Sequence, residues 1–110
     1  MKEYHVYSAK YTIKGVEKNI ETTVNCIAND YFNDLFFEMK FEKYHTLWYE
    51  MLNLAYMEKN NSLFYLDKEY CDNMEQAEID NLFNYLDNEV PDEKIIKVLN
   101  KNGVTCKFLY

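Results

Sequence analysis

The chain has 110 residues, a formal charge of −7, and 48% hydrophobic and 17% aromatic residues. That length accommodates one domain around one core, and that apolar content argues against intrinsic disorder despite the charge. All twelve basic residues are lysines, so the bidentate guanidinium fork normally used on phosphate and guanine is missing. Direct nucleic-acid binding is therefore disfavoured by net charge and by residue type. No window approaches the roughly 18 apolar residues of a membrane span, and Met1-Lys2-Glu3-Tyr4-His5 has no apolar signal core. A cytoplasmic protein with no membrane partner is expected.

In chain order, Tyr4 to Ile13 alternates, with His5, Tyr7, Ala9, Tyr11 and Ile13 on one face. Strand-like sequence resumes from Val16 to Ala28, with Ile20, Thr22, Val24 and Cys26 sharing a face. Lys14-Gly15 lies between, and glycine accepts the positive φ of a tight turn, so an antiparallel hairpin is predicted. Asn29-Asp30 reads as a helix start. Apolar residues then recur at helical spacing to about Lys59, including Phe32, Leu35, Leu47, Trp48, Met51, Leu52 and Ala55. The stripe changes phase near Lys40-Phe41-Glu42-Lys43, which fits one bent helix or a helix pair.

Asn60-Asn61 ends that segment, and Ser62 to Tyr70 reads as a third strand. Asp72-Asn73-Met74-Glu75 has the form of a capping box opening a helix with Ile79, Leu82, Phe83, Leu86 and Val90 on one stripe. Pro91 permits a fresh first turn, and Gly103 stops the helix that follows. In that helix Asp92 and Glu93 suit the positive end, and Lys97 and Lys101 the negative end. Val104 to Tyr110 is a closing strand. The predicted fold is α+β in a single domain over 1–110: an N-terminal hairpin, a long aromatic helix or helix pair, a third strand, two short helices and a C-terminal strand.

The charge is local. Asp67 to Glu93 holds ten of the nineteen carboxylates and one lysine, a formal −9, while the rest of the chain carries +2. Such a segment repels nucleic acid and attracts basic surfaces. On its helix, Asp80 and Asp87 lie on one flank about 10 Å apart along the axis, and Glu78, Tyr85 and Glu89 on the other. With Asp92 and Glu93 these residues form the predicted partner-binding set. Carboxylates at such intervals can occupy places in a basic groove that DNA or RNA phosphates would otherwise fill. The competing readings of the segment are a solvated face and a calcium site, the latter without an Asp-x-Asp-x-Asp-Gly loop to support it.

A second candidate surface is aromatic. Twelve of nineteen aromatic residues fall between Tyr31 and Tyr70. Phe37, Phe41, Tyr49 and Tyr56 sit off or at the edge of the main stripe and are the predicted self-association residues of a homodimer. Cys26, His45, Cys71 and Cys106 lack the close spacing of metal ligands, so no metal and no cofactor is expected. Three scattered cysteines fit reduced structural thiols better than disulfides. Neither glycine belongs to a phosphate-binding loop.

The composition, rich in Lys, Asn, Tyr, Phe and Ile, is what AT-rich coding produces and points to a low-GC bacterium or phage. The expectation is a non-enzymatic acidic interaction protein that engages the basic surface of another protein. In its sharpest form it inhibits a nucleic-acid-handling machine, of the anti-restriction or anti-CRISPR type. Two alternatives are an accessory or self-associating subunit binding through its aromatic helix, and a small enzyme or ligand-binding domain with a Cys/His pocket.

Overall fold

The computed structural model describes residues 3–38 and 46–110. It is an α+β fold, as the sequence predicts: strands β1 (Tyr7–Ile13), β2 (Val16–Thr22) and β3 (Thr105–Phe108), and helices α1 (Val24–Glu38), α2 (Thr46–Asn60), α3 (Lys68–Asp72), α4 (Gln76–Glu89) and α5 (Asp92–Lys101). The three strands form one antiparallel sheet in the order β2-β1-β3.

The hairpin follows from its turn. Lys14 and Gly15 both have positive φ, the combination that matches the twist of two paired strands. Ile13 then faces Val16 and Tyr7 faces Thr22. The alternation of β1 sets its two faces: Tyr7, Ala9, Tyr11 and Ile13 are buried, while Lys10 and Thr12 are exposed. The C-terminal strand returns to the other edge of β1, pairing Tyr7 with Phe108 and Lys10 with Thr105. Beyond it, Val6 donates to the Tyr110 carbonyl at 2.6 Å and accepts from Leu109 at 2.9 Å.

Helix α1 begins at Val24, not at Asn29-Asp30. The Thr23 hydroxyl accepts from the Cys26 amide and the Thr23 carbonyl from Ile27, which makes Thr23 the cap. Val24, Ile27, Ala28, Tyr31 and Leu35 are the buried stripe, whereas Cys26, assigned by alternation to the Val24 face, is exposed. The strand reading therefore fails after Thr22: a spacing of three and four buries more apolar surface here than a spacing of two. The phase change at 40–43 lies outside the described residues, which carry two helices on either side of it.

Helix α2 supplies the centre of the core. Leu47, Met51, Leu52 and Ala55 are fully buried, and the helix packs against α4 and α5. It ends as the Asn60-Asn61 pair predicts. Asn61 is left-handed (φ 50°), and the Ser62 amide returns to the Met57 carbonyl. The end of α5 repeats this device with Gly103 (φ 92°). The Val104 amide reaches Leu99, Gly103 reaches Asn100, and Leu99 and Val104 are both fully buried.

The third strand is replaced by an irregular stretch and the short helix α3. The stretch is held to α2 by Asn53, one of two buried polar or charged residues among those described. Its side-chain amide accepts from the Leu66 N–H at 2.6 Å and donates to the Leu66 carbonyl at 3.3 Å and the Tyr49 carbonyl at 3.0 Å. One side chain thus satisfies both backbone groups of Leu66. Asp67 then caps α3 through the Tyr70 amide. The capping box is also displaced: Asp72 ends α3, and α4 starts after Glu75 with no side-chain cap.

Replacing Asn53 with Ala should lower stability by about 1–3 kcal/mol, because it strands the part-buried N–H and C=O of Leu66. Urea unfolding measures the loss, and faster amide exchange at Leu66 locates it. Replacing Gly103 with Ala should cost about 1–2 kcal/mol from the backbone conformation alone, since an added Cβ would meet nothing within 4 Å.

Candidate functional site

The residues of the acidic segment occupy α3, α4, the turn between them and the first turn of α5. Asp67, Glu69, Asp72, Glu75, Glu78, Asp80, Glu89 and Glu93 are all exposed. None of these eight makes an ion pair with a lysine among the described residues. The ion pairs present join Lys10 to Glu17, Lys18 to Asp34, Lys94 to Glu58 and Lys101 to Glu50, and every carboxylate in them lies outside the segment. The negative field of this face is therefore not neutralised from within.

It holds an open cleft of about 530 Å³ where α3 turns into α4, lined by Asp67, Glu69, Tyr70, Asn73, Met74, Glu75 and Glu78. The Tyr70 hydroxyl donates to Glu78 at 3.5 Å, and the neighbouring Glu78 charge pushes that phenol up. Asn73 donates to the Glu69 carbonyl, and Gln76 to the Asp80 carboxylate, each at 2.8 Å. No group of three or more His, Cys, Asp and Glu side chains that could hold a metal occurs among the described residues.

Of the seven predicted partner-binding residues, Glu78, Asp80, Glu89 and Glu93 are exposed and Tyr85 is half-buried against the core. Asp87 is half-buried as well. Its carbonyl accepts from Asn25 at 2.7 Å and from the Tyr4 hydroxyl at 3.1 Å, so the N-terminal segment and α1 lie over that end of α4. Asp80 and Asp87 are thus not two equally open charges on one flank. Asp92 departs further: it is 6% exposed and hydrogen-bonds the buried Tyr7 phenol, so it faces the sheet and not a partner.

The aromatic set divides differently. The Phe37 side chain and the whole of Phe41 lie outside the described residues. Tyr49 donates its hydroxyl to Asp72, stacks edge-on against Trp48 and lies under the Lys68 ammonium, and Tyr56 packs half-buried against the core. Both rings are absorbed within the chain. The large apolar side chains left open are elsewhere, most densely at Leu63, Phe64 and Tyr65, which are 87%, 79% and 73% exposed.

The cysteines have little thiolate character where a shift is resolved. Burial pushes Cys71 up, and pushes Cys106 up to about 11. His5 packs edge-on against Phe108, and His45 lies outside the described residues. No helix is long and apolar enough to cross a membrane among the described residues.

Sequence reasoning missed the tyrosine–carboxylate pairs beneath the sheet. Tyr11 donates to Asp34, which Lys18 also contacts at 3.0 Å. Burial opposes ionisation of Asp34, but these two partners outweigh it and hold the carboxyl below its usual range. Tyr7 and Tyr11 were readable as inward-facing, and a buried phenol needs an acceptor; which carboxylate supplies it was not readable.

No family model, no curated protein and no solved structure matches the chain.

Burial, then the charge and hydrogen bond of Asp92, push the Tyr7 phenol up to about 12 from 10.0. The folded state holds this proton more tightly than the unfolded chain. The linked stability is complete below 10.0 and is lost as pH rises toward about 12. Tyr7→Phe should therefore flatten the alkaline fall in urea midpoint, leaving the part due to Tyr11, whose phenol is also pushed up by burial and Asp34.

Proposed function

We propose that this protein is a non-enzymatic interaction protein that binds the basic surface of another protein through the acidic face of α3 and α4. The observation that carries this reading is the set of eight exposed carboxylates between Asp67 and Glu93 without a lysine partner among the described residues. A merely solubilising surface would have both signs interspersed; here the four lysines in ion pairs meet carboxylates outside the segment, and the negative charge is concentrated. In the absence of arginine, the natural counterpart is a lysine- or arginine-rich protein groove, not a nucleic acid. The sharpest form is inhibition of a nucleic-acid-handling effector of a low-GC bacterium or its phage, with carboxylates standing where phosphates would bind.

Several charges acting together make such docking steeply dependent on salt. Capture of a partner from a low-GC bacterial lysate should weaken at least about tenfold as the screening length falls from about 8 Å at 0.15 M to about 3 Å at 1 M. The triple variant Glu78→Lys, Asp80→Lys, Glu89→Lys should abolish capture while unfolding at the same urea concentration as the parent. Equal charge reversal at Glu3, Glu21 and Asp30 should leave most of it. Competition by DNA or RNA for the captured partner separates phosphate mimicry from other acidic docking. Binding that survives both high salt and the triple reversal removes the acidic face as the interface.

A further inference from the structure

A second concave site lies away from the acidic cleft, between α2 and α5. It has a volume of about 480 Å³, within the range of small-molecule sites. Leu54 and Met57 of α2, Val98 of α5 and Tyr65 from the exposed loop line it with apolar surface. Five charged side chains also line it: Glu50, Glu58, Lys94, Lys97 and Lys101.

Four of these five cancel in pairs. Lys94 binds Glu58, and Lys101 binds Glu50 at 3.3 Å, so one ion pair joins the two helices at each end of the groove. Lys97 lies between those lysines in the α5 sequence, three residues from one and four from the other, and therefore on the same helix face. It makes no ion pair among the described residues. The groove thus combines a strip of apolar surface with the polar side chains of Asn61 and Ser62, an ion pair toward each end, and one lysine, Lys97, without an ion pair among the described residues. Tyr65 adds a wall that is itself mostly exposed, next to Leu63 and Phe64. Three consecutive large apolar residues left open in this way mark an interaction site more often than a solvated loop.

We propose that the α2–α5 groove binds an amphipathic monocarboxylate, its apolar body on Leu54, Met57, Val98 and Tyr65 and its carboxylate on Lys97. A neutral apolar ligand would leave the ammonium next to desolvated surface without a counter-ion. A dianion would meet Glu50 and Glu58 after satisfying the single free lysine. One negative charge on an apolar chain matches both constraints. The site is separate from the acidic face, so its occupancy and partner docking are independently testable.

Decanoate, titrated into the full chain below its micelle-forming concentration, is the probe. The expected result is saturable binding of one molecule per chain, with methyl NMR shifts confined to Leu54, Met57, Val98 and their neighbours. Decanol should bind at least tenfold more weakly. Lys97→Met, which keeps an apolar stem and removes the charge, should weaken decanoate at least tenfold and leave decanol unchanged. Tyr65→Ser should weaken both. Lys107→Met, on β3, is the control and should change neither. Lys97 and Tyr65 are exposed, so these variants should keep the parent's urea midpoint. Non-saturable uptake, equal affinity for decanoate and decanol, or indifference to Lys97→Met overturns the proposal. Binding to vesicles of phosphatidylglycerol without saturable binding of free decanoate overturns it too, because the loop would then be a membrane contact.

Discussion

Burying two tyrosine hydroxyls beneath one strand is the constraint on which the remaining structure depends. Strand β1 is central, hydrogen-bonded to β2 on one edge and β3 on the other, and its inner face carries Tyr7 and Tyr11. Neither phenol can be buried without an acceptor except at a cost of several kcal/mol. Asp34 of α1 meets Tyr11, and Asp92 at the start of α5 meets Tyr7. These contacts specify which helix lies over which part of the sheet. Tyr31 adds a third, stacking edge-on against Tyr11 at 4.9 Å and donating to the Asn102 carbonyl at the end of α5.

The same logic divides the charges. Asp34 and Asp92 are committed to the sheet, and Glu50 and Glu58 to the lysines of α5. Each of those carboxylates faces another element and has work to do inside the fold. Most carboxylates of α3 and α4 face solvent instead, because α4 turns its single apolar stripe of Ile79, Leu82 and Leu86 toward α2 and leaves the rest of its circumference open. The acidic face is what remains after the core has taken its share. No ion pair with a lysine offsets its exposed carboxylates among the described residues.

Concavity arises from the same packing. Helices α2 and α5 pack against one another, with Leu52 and Ala55 of one and Ile95 and Leu99 of the other buried in the core. Ion pairs at each end hold the flanks in place without filling the space between them. The loop after α2 is kept close by Asn53, whose grip on Leu66 leaves Leu63 to Tyr65 projecting outward. A strand packed on the core would have buried every second side chain; here all three are exposed.

The sequence by itself determined the features governed by short-range chemistry. Alternation from Tyr7 to Ile13 set the buried face of β1, Lys14-Gly15 set the hairpin, and Asn61 and Gly103 set two helix ends. The stripe from Ile79 to Val90 set the buried side of α4. The predicted acidic run is also where the sequence placed it, and most of its members are exposed. Tertiary structure decided what depends on partners distant in the chain. The segment from Val24 to Ala28 satisfies both a strand period and a helical one locally, and packing against β1, β2 and α5 favours the helix. The stretch from Ser62 to Tyr70 has strand composition, yet it does not join the sheet, and an asparagine thirteen residues before Leu66 bonds both backbone groups of that residue. Asp92 and Glu93 are adjacent acids at one helix start, but helical geometry turns one toward Tyr7 and the other toward water. Lys97 differs from Lys94 and Lys101 only because no glutamate of α2 lies opposite it. Such differences come from which side chains meet across the core, and a linear pattern does not record them.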